Sequence, residues 1–271
     1  MKEAKLDIIG NWSEDKLEIL KKYSEAYVKI VGSRFKNIYV DAFAGAGEHI
    51  SKETGDRVPG SPLNALNVKI PFKEYHFIDT NKEKVELLRK LSKEKKNVYV
   101  YCGDCNKKLL EEVFPRIKYS EYCRGLCLLD PYGLHLDWQV IKTAGEMKSI
   151  EIFLNFPVMD INMNALKKNP DKVTAEQALR MTRFWGDETW KEVAYSNNGY
   201  LFEELKEKIN NKNLAEKFRE RLIKVAGFKI VPQPIAMKNS TGSIIYYLFF
   251  ASQEQVAGRI VKDIFKSYTK I

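Results

Sequence analysis

The sequence predicts an α/β fold of three layers, Rossmann-like, with a mostly parallel sheet closed by a C-terminal antiparallel hairpin. Three observations predict it. Five short apolar runs rich in β-formers alternate with helix-length segments, which is the βαβ pattern of a doubly wound sheet. Each of those runs ends in polar residues, as strands do where an open α/β sheet presents its ligand-binding edge. Two further β runs near the C-terminus, Phe228–Met237 and Ile244–Ala251, are separated by the turn-forming stretch Lys238-Asn239-Ser240-Thr241-Gly242-Ser243, which reads as a hairpin.

In chain order, residues 13–31 read as an amphipathic helix. Ser13 is the expected N-cap, Glu14 and Asp15 suit the positive helix end, and Leu17, Leu20, Tyr27, Val28 and Val31 form the apolar stripe. The first strand, Ile38–Val40, delivers Asp41 and then the small-residue turn Ala42-Phe43-Ala44-Gly45-Ala46-Gly47. A carboxylate at a strand end followed by glycines lets backbone approach a bulky polar ligand. A polar loop is expected over 48–60, either a flap beside that turn or plain surface. Ser61-Pro62 then opens a helix, with Ser as N-cap and Pro at the first position.

Tyr75–Asp79 is the second strand, again ending in a carboxylate, and the following helix should bury Val85, Leu88 and Leu91. Asp79 lies well beyond the ~20-residue offset of the NAD fingerprint; the long 48–60 segment accounts for much of the excess. The third strand, Val98–Tyr101, leads into Cys102-Gly103-Asp104-Cys105-Asn106. The fourth, Leu126–Leu129, ends in Asp130-Pro131-Tyr132-Gly133. The fifth, Ile150–Leu154, ends in Asn155-Phe156-Pro157. From 158 to 226 the pattern is mainly helical. An inserted helical lobe over 158–200, carrying Lys167, Lys168, Lys172, Arg180, Arg183 and Trp185, precedes a returning helix around 203–225. A helix over 253–268 ends the chain, which reads as one domain, 1–271, with that insertion.

Composition narrows the function. The 271 residues are 44% hydrophobic, enough for a substantial core, and the net charge of +9 favours polyanionic partners such as nucleic acid. No run approaches the ~18 apolar residues of a membrane span, and Met1-Lys2-Glu3-Ala4-Lys5 does not start a signal peptide, so a cytoplasmic protein is expected. Cys102, Cys105, Cys123 and Cys127 suggest a metal site at first sight. In the strand order 3-2-1-4-5, however, the third and fourth strands lie roughly 14 Å apart, and Cys123 and Cys127 are roughly 13 Å apart along one extended segment. No metal site is therefore expected, and Cys127 reads as a buried thiol. His76, inside a strand, reads as a satisfied core histidine. His135 follows a strand-end turn where it could touch substrate, and Trp185 and Trp190 read as packing residues.

Asp41-Ala42-Phe43-Ala44-Gly45-Ala46-Gly47 resembles the first motif of class I methyltransferases, in the Phe-Ala-Gly form of nucleic-acid methyltransferases, and five parallel strands plus a terminal hairpin resemble their seven-stranded fold. More closely, Lys16-Leu17, Tyr23, Asp41–Gly45, Gly60-Ser61-Pro62, Phe77-Ile78-Asp79, Gly103–Asn106, Asp130–Gly133 and Asn155–Pro157 resemble the three-Cys-motif partner (TcmP) proteins. The resemblance implies S-adenosylmethionine as cofactor. Phe43, Ala44, Gly45 and Gly47 would approach its methionine end and Asp41 hold the amino-acid moiety. Asp79, with Thr80, would take the ribose diol; Asp104, with Gly103, the adenine amine. Each carboxylate also has a plain alternative as helix cap or turn former.

Asp130-Pro131-Tyr132 resembles the catalytic turn of amino-methyltransferases. Asp130 and the Pro131 carbonyl would accept from an exocyclic amine, and Tyr132 would stack on a flipped base. The motif is one residue short between acid and aromatic, and a simple strand-end turn fits the Pro and Gly beside Tyr132. No Pro-Cys pair exists, which disfavours cytosine-C5 chemistry. The expected activity is methylation of a nucleobase amine in nucleic acid. The alternatives are a small-molecule or protein methyltransferase, or a non-catalytic cofactor-binding accessory protein with a protein partner. A dehydrogenase is disfavoured because the third glycine of the dinucleotide fingerprint is missing.

Overall fold

The computed structural model describes residues 6–167, 169–197 and 206–268. Lys168 and residues 198–200 of the expected insertion, the 203–205 start of the expected returning helix, and Met1–Lys5 lie outside them. The large sheet has seven strands: β1 (Lys36–Asp41), β2 (Glu74–Asp79), β3 (Val98–Cys102), β4 (Cys123–Leu129), β5 (Ile150–Phe156), β6 (Ile235–Lys238) and β7 (Ile244–Ala251). Their order across the sheet is β6-β7-β5-β4-β1-β2-β3. The first five strands are parallel, and β7 runs antiparallel to both β5 and β6. The expected 3-2-1-4-5 arrangement and the terminal hairpin are both present.

Strand alternation assigns the two core layers. Along β1, Ile38 and Val40 point to one face and Tyr39 to the other. The first face is covered by the helices Trp138–Met147, Ala175–Trp185 and Asn211–Lys224, whose Met181, Phe184, Trp185, Phe218 and Leu222 join Phe156 and Phe249 in one cluster. On the second face the N-terminal helix Asn11–Val31 and the C-terminal helix Gln255–Lys266 set Leu20, Tyr23, Tyr27, Val261 and Phe265 against Phe153, Leu248 and Phe250. Trp185 and Trp190 are buried, as expected of packing residues. His76 is fully buried, 2.7 Å from Glu74 and 2.9 Å from the Tyr101 hydroxyl, a satisfied core histidine. Cys127 is a buried thiol, and burial raises its pKa well above the ordinary range.

Several expected boundaries are corrected. The N-terminal helix starts at Asn11 with Gly10 as N-cap, so Ser13 lies inside its first turn. Gly60, not Ser61, caps the next helix, which puts Pro62 second. Leu91, the last residue of its helix, is 44% exposed. Glu48–Gly60 is not a plain loop. Glu48–Ser51 and Arg57–Pro59 form an antiparallel ribbon, and Asp7–Ile9 adds to it in parallel. Among the described residues of 158–226, helices are joined by short loops and by the two-stranded ribbon Tyr195–Asn197 with Lys206–Lys208, so the expected returning helix begins at Asn211. Phe228–Pro234 is not a continuous strand: Ile230 makes one isolated bridge with Ser252, just past β7, Pro232 and Pro234 have no N–H for a ladder, and continuous pairing with β7 begins at Ile235.

Candidate functional site

A cavity of about 1230 Å³ opens at the carboxyl ends of the strands. It lies where β1 and β4 sit side by side while their chains leave in opposite directions, the switch point at which doubly wound sheets hold ligands. Phe43, Ala44 and Gly45 after β1, Asp79 and Thr80 after β2, Gly103 and Asp104 after β3, and Asp130, Pro131 and Tyr132 after β4 all line it. The sheet therefore brings together residues spread over ninety positions.

The turn after β1 is tied to the end of β2. Gly45 has φ +63, and a side chain there would project into open space. Its amide donates to Asp79 Oδ2 at 2.8 Å, while Oδ1 accepts from the Asn81 amide at 2.7 Å. Each oxygen keeps a free lone pair. Asp104 realises the capping alternative and still faces the cavity. Its Oδ1 accepts from the Lys107 amide at 2.9 Å, at the N-terminus of a short helix.

Two expected residues are not on the cavity wall. Gly47 packs beneath, against Leu88 and Leu91. Asp41 is fully buried under the turn, and burial pushes its carboxyl up to about 7. Its Oδ1 accepts from the Phe43 amide at 3.2 Å. Oδ2 has no partner in bonding geometry, although the Ser61 hydroxyl is near enough to oppose the rise. Both residues shape the turn from below and do not reach the space above it.

Asp130 is held from two sides. Asn155 Nδ2 donates to Oδ1 at 2.6 Å, and the ammonium of Lys16 pairs with Oδ2. Lys16, itself buried, also lies 5.6 Å from the centre of the Tyr246 ring, and the Tyr246 hydroxyl donates to the Trp12 carbonyl at 3.0 Å. Tyr132 projects outward, 88% exposed, at the cavity rim, and His135 lines the cavity close by. Sequence reasoning gave no site role to Lys16, His49, Ser61 or Tyr246, or to Leu6–Gly10, all of which line the cavity. Lys16 had a signal: a lysine on the same helix face as Leu20, Tyr23 and Tyr27 interrupts an apolar stripe. His49 comes from the ribbon. Its Nδ1 is buried without a partner, and burial lowers its pKa. Five carboxylates (Asp7, Asp79, Glu83, Asp104 and Asp130) and two lysines (Lys16 and Lys84) surround the space, so this basic chain has an acidic cavity.

No family model matches the sequence, and no curated protein does. Among solved structures, the fold is similar to protein LPL1258 of Legionella pneumophila str. Philadelphia 1, of the family model DUF519. The TM-score is 0.55 at 14% identity, over 96% of this chain and 93% of that one. A Thermobifida fusca protein provisionally classed as a methyltransferase is 12% identical over 90% and 82% of the two chains, with a TM-score of 0.48. The methyltransferase domain of bacterial CtHen1 is 11% identical over 86% and 99%, with a TM-score of 0.43. With its strand order and terminal hairpin, the chain has the class I methyltransferase fold. No helix among the described residues is long and apolar enough to cross a membrane.

Proposed function

We propose that this protein is an S-adenosylmethionine-dependent methyltransferase whose acceptor is an exocyclic amine of a nucleobase in nucleic acid, and that it belongs with the TcmP proteins and acts in the cytoplasm. The observation that supports this most is the convergence of Asp79, Asp104 and the Asp130-Pro131-Tyr132 turn on one acidic cavity at the switch point. The cofactor fits the residues present. The open position above Gly45 is a cradle that a Cβ would fill, Asp79 keeps lone pairs for a diol, and the surplus of carboxylates suits a cation.

When bound, S-adenosylmethionine supplies an electrophilic methyl group on a sulfonium. The protein's part is then mainly positioning. Asp79 and Asp104 hold the two ends of the adenosine. Asp130, fixed by Asn155 and Lys16, has two lone pairs left to accept an amine N–H, which raises the nitrogen's nucleophilicity as the new bond forms. Tyr132 at the rim offers a face to an unstacked base.

A second reading, methylation of a small acceptor, draws on the N-terminal strand Asp7–Ile9. It lies along the ribbon, lines the cavity and narrows access for a polymer. A transfer assay with radiolabelled cofactor against RNA, DNA, protein and a small-molecule extract separates the two. Label in nucleic acid, lost in Asp130→Ala, is expected. Label only in small molecules establishes the second reading, and cofactor binding without any transfer establishes an accessory protein.

A further inference from the structure

We infer a second binding surface, for single-stranded nucleic acid, on the opposite edge of the sheet from the cavity. The loops that enter β1 to β5 form a continuous rim there. The Lys36 amide donates to the Tyr122 carbonyl at 3.0 Å, Lys73 N–H to the Asn37 carbonyl at 3.0 Å, and Gly125 N–H to the Ser149 carbonyl at 2.8 Å. On this rim the side chains of Tyr119, Arg124, Phe35 and Tyr122 make a run of π-faces. The Arg124 guanidinium is 3.9 Å from the Tyr119 ring and 4.2 Å from the Phe35 ring. Phe35 stacks with Tyr122 at 6.3 Å and 27°. Both terminal rings are open to solvent, Tyr119 at 54% and Tyr122 at 70%.

A folding role does not account for this arrangement. Aromatic rings placed for stability are normally covered, and the fully buried aromatics of this chain are. Tyr122 and Lys148 are the two non-glycine residues with positive φ among those described, at +56° and +58°, and both lie on this rim. Each ends a helix, Tyr122 the 3-10 turn Tyr119–Glu121 and Lys148 the helix Trp138–Met147, so the left-handed backbone there is an ordinary helix C-cap and the exposed rings carry the inference. Along the same rim, in the loops entering β1, β2, β3 and β5, Arg34, Lys73, Lys95, Lys96 and Lys148 are exposed and have no ionic partner among the described residues. The rim acids are fewer: Glu94 is exposed beside Lys95, Glu121 pairs with Lys118, and the buried Glu74 pairs with Lys36.

Exposed π-faces interleaved with unpaired cations match a strand of nucleic acid, whose bases stack without regard to sequence and whose phosphates meet the lysines. An acidic peptide would use the cations and leave the rings idle. The surface is independent of the methyltransferase reading. It lies a strand's length from the cavity, roughly 20 Å.

The test is fluorescence anisotropy with labelled oligonucleotides of about twelve residues, within the usual site sizes. Wild type should bind single-stranded RNA or DNA, and affinity should fall steeply with salt. Tyr119→Ala with Tyr122→Asn should weaken binding about tenfold or more, since each stacked base contributes about that much. Asparagine tolerates the left-handed backbone, so this variant should fold, with circular dichroism as the check. Lys95→Glu, Lys96→Glu and Lys148→Glu together should weaken binding and flatten the salt dependence by about 0.7 in log-log slope per lost phosphate contact. Asp79→Ala should bind oligonucleotide like wild type. The inference is overturned if wild type does not bind, if the aromatic variant binds like wild type, or if polyglutamate competes as well as the oligonucleotide. None of those results touches cofactor binding at the cavity.

Discussion

Asp79 joins the two sides of the site. Its carboxylate orders the turn after β1 through the Gly45 amide and still faces the cavity. Replacing it with alanine should abolish cofactor binding measured by calorimetry, because two or more charge-assisted hydrogen bonds of about 1.5–3 kcal/mol each go with it. Asp79→Asn has one acceptor oxygen, so it can keep the Gly45 or the Asn81 bond but not both, and it should lose most of the affinity while loosening the turn. A different residue controls the response to pH. Glu151, in β5, is only partly buried by area, but its carboxyl lies under the N-terminal helix. There it accepts from Tyr23 at 2.5 Å and Ser252 at 3.0 Å. Burial pushes it up to about 7 from an ordinary 4.5. A carboxyl raised in the folded state contributes stability that is complete below about pH 4.5 and lost as pH climbs through 7. Glu151→Gln should therefore raise the melting temperature at pH 8, by an amount worth roughly 2–3 kcal/mol, and change little at pH 4.5. Asp41 acts in the same direction. At this scale the sequence was informative about strand ends and silent about partners. Asp79, Asp104 and Asp130 could be read from their positions after apolar runs. The Lys16–Asp130 pair could not, since it joins residues 114 positions apart.

The element whose form the sequence concealed is the ribbon of Glu48–Ser51 and Arg57–Pro59. Its composition is that of a loop. Its arms pair with each other in a short hairpin, and Asp7–Ile9, some forty residues upstream, adds a third strand. Pairing across such a distance leaves no local periodicity. The same remoteness makes the three-stranded patch a cover that can be loosened. Asp7 is latched to Lys84 at 2.6 Å by a largely exposed ion pair, worth at most about 1 kcal/mol. Asp7→Ala should leave the melting temperature within a degree or two. It should also speed cofactor release in stopped-flow experiments, most visibly at low salt. The β6 strand was overextended for a local reason, since the run from Phe228 looks apolar enough while Pro232 and Pro234 break its ladder.

For the whole molecule, the layered fold followed directly from the alternation of strand and helix, because burying both faces of a parallel sheet requires helices on each. One face depends heavily on a single ring. Phe218 is fully buried and packs within 6 Å of Trp138, Phe156, Phe184, Trp185 and Phe249. Phe218→Ala should cost about 3–5 kcal/mol in urea unfolding, enough to threaten folding in a chain of ordinary stability. The charge distribution is also a whole-molecule property. Lysines dominate the surface while carboxylates surround the cavity, so a cation can enter a protein that otherwise attracts anions.

The bond from the Tyr246 hydroxyl to the Trp12 carbonyl joins residues 234 positions apart. As the chain is synthesised, every sequence motif of the crevice is complete by Asn155, yet one of its walls does not exist until β7 has emerged and slotted in beside β5. A nascent or prematurely stopped polypeptide ending before Ile244 would carry all the recognisable signatures and still leave the crevice open on that side.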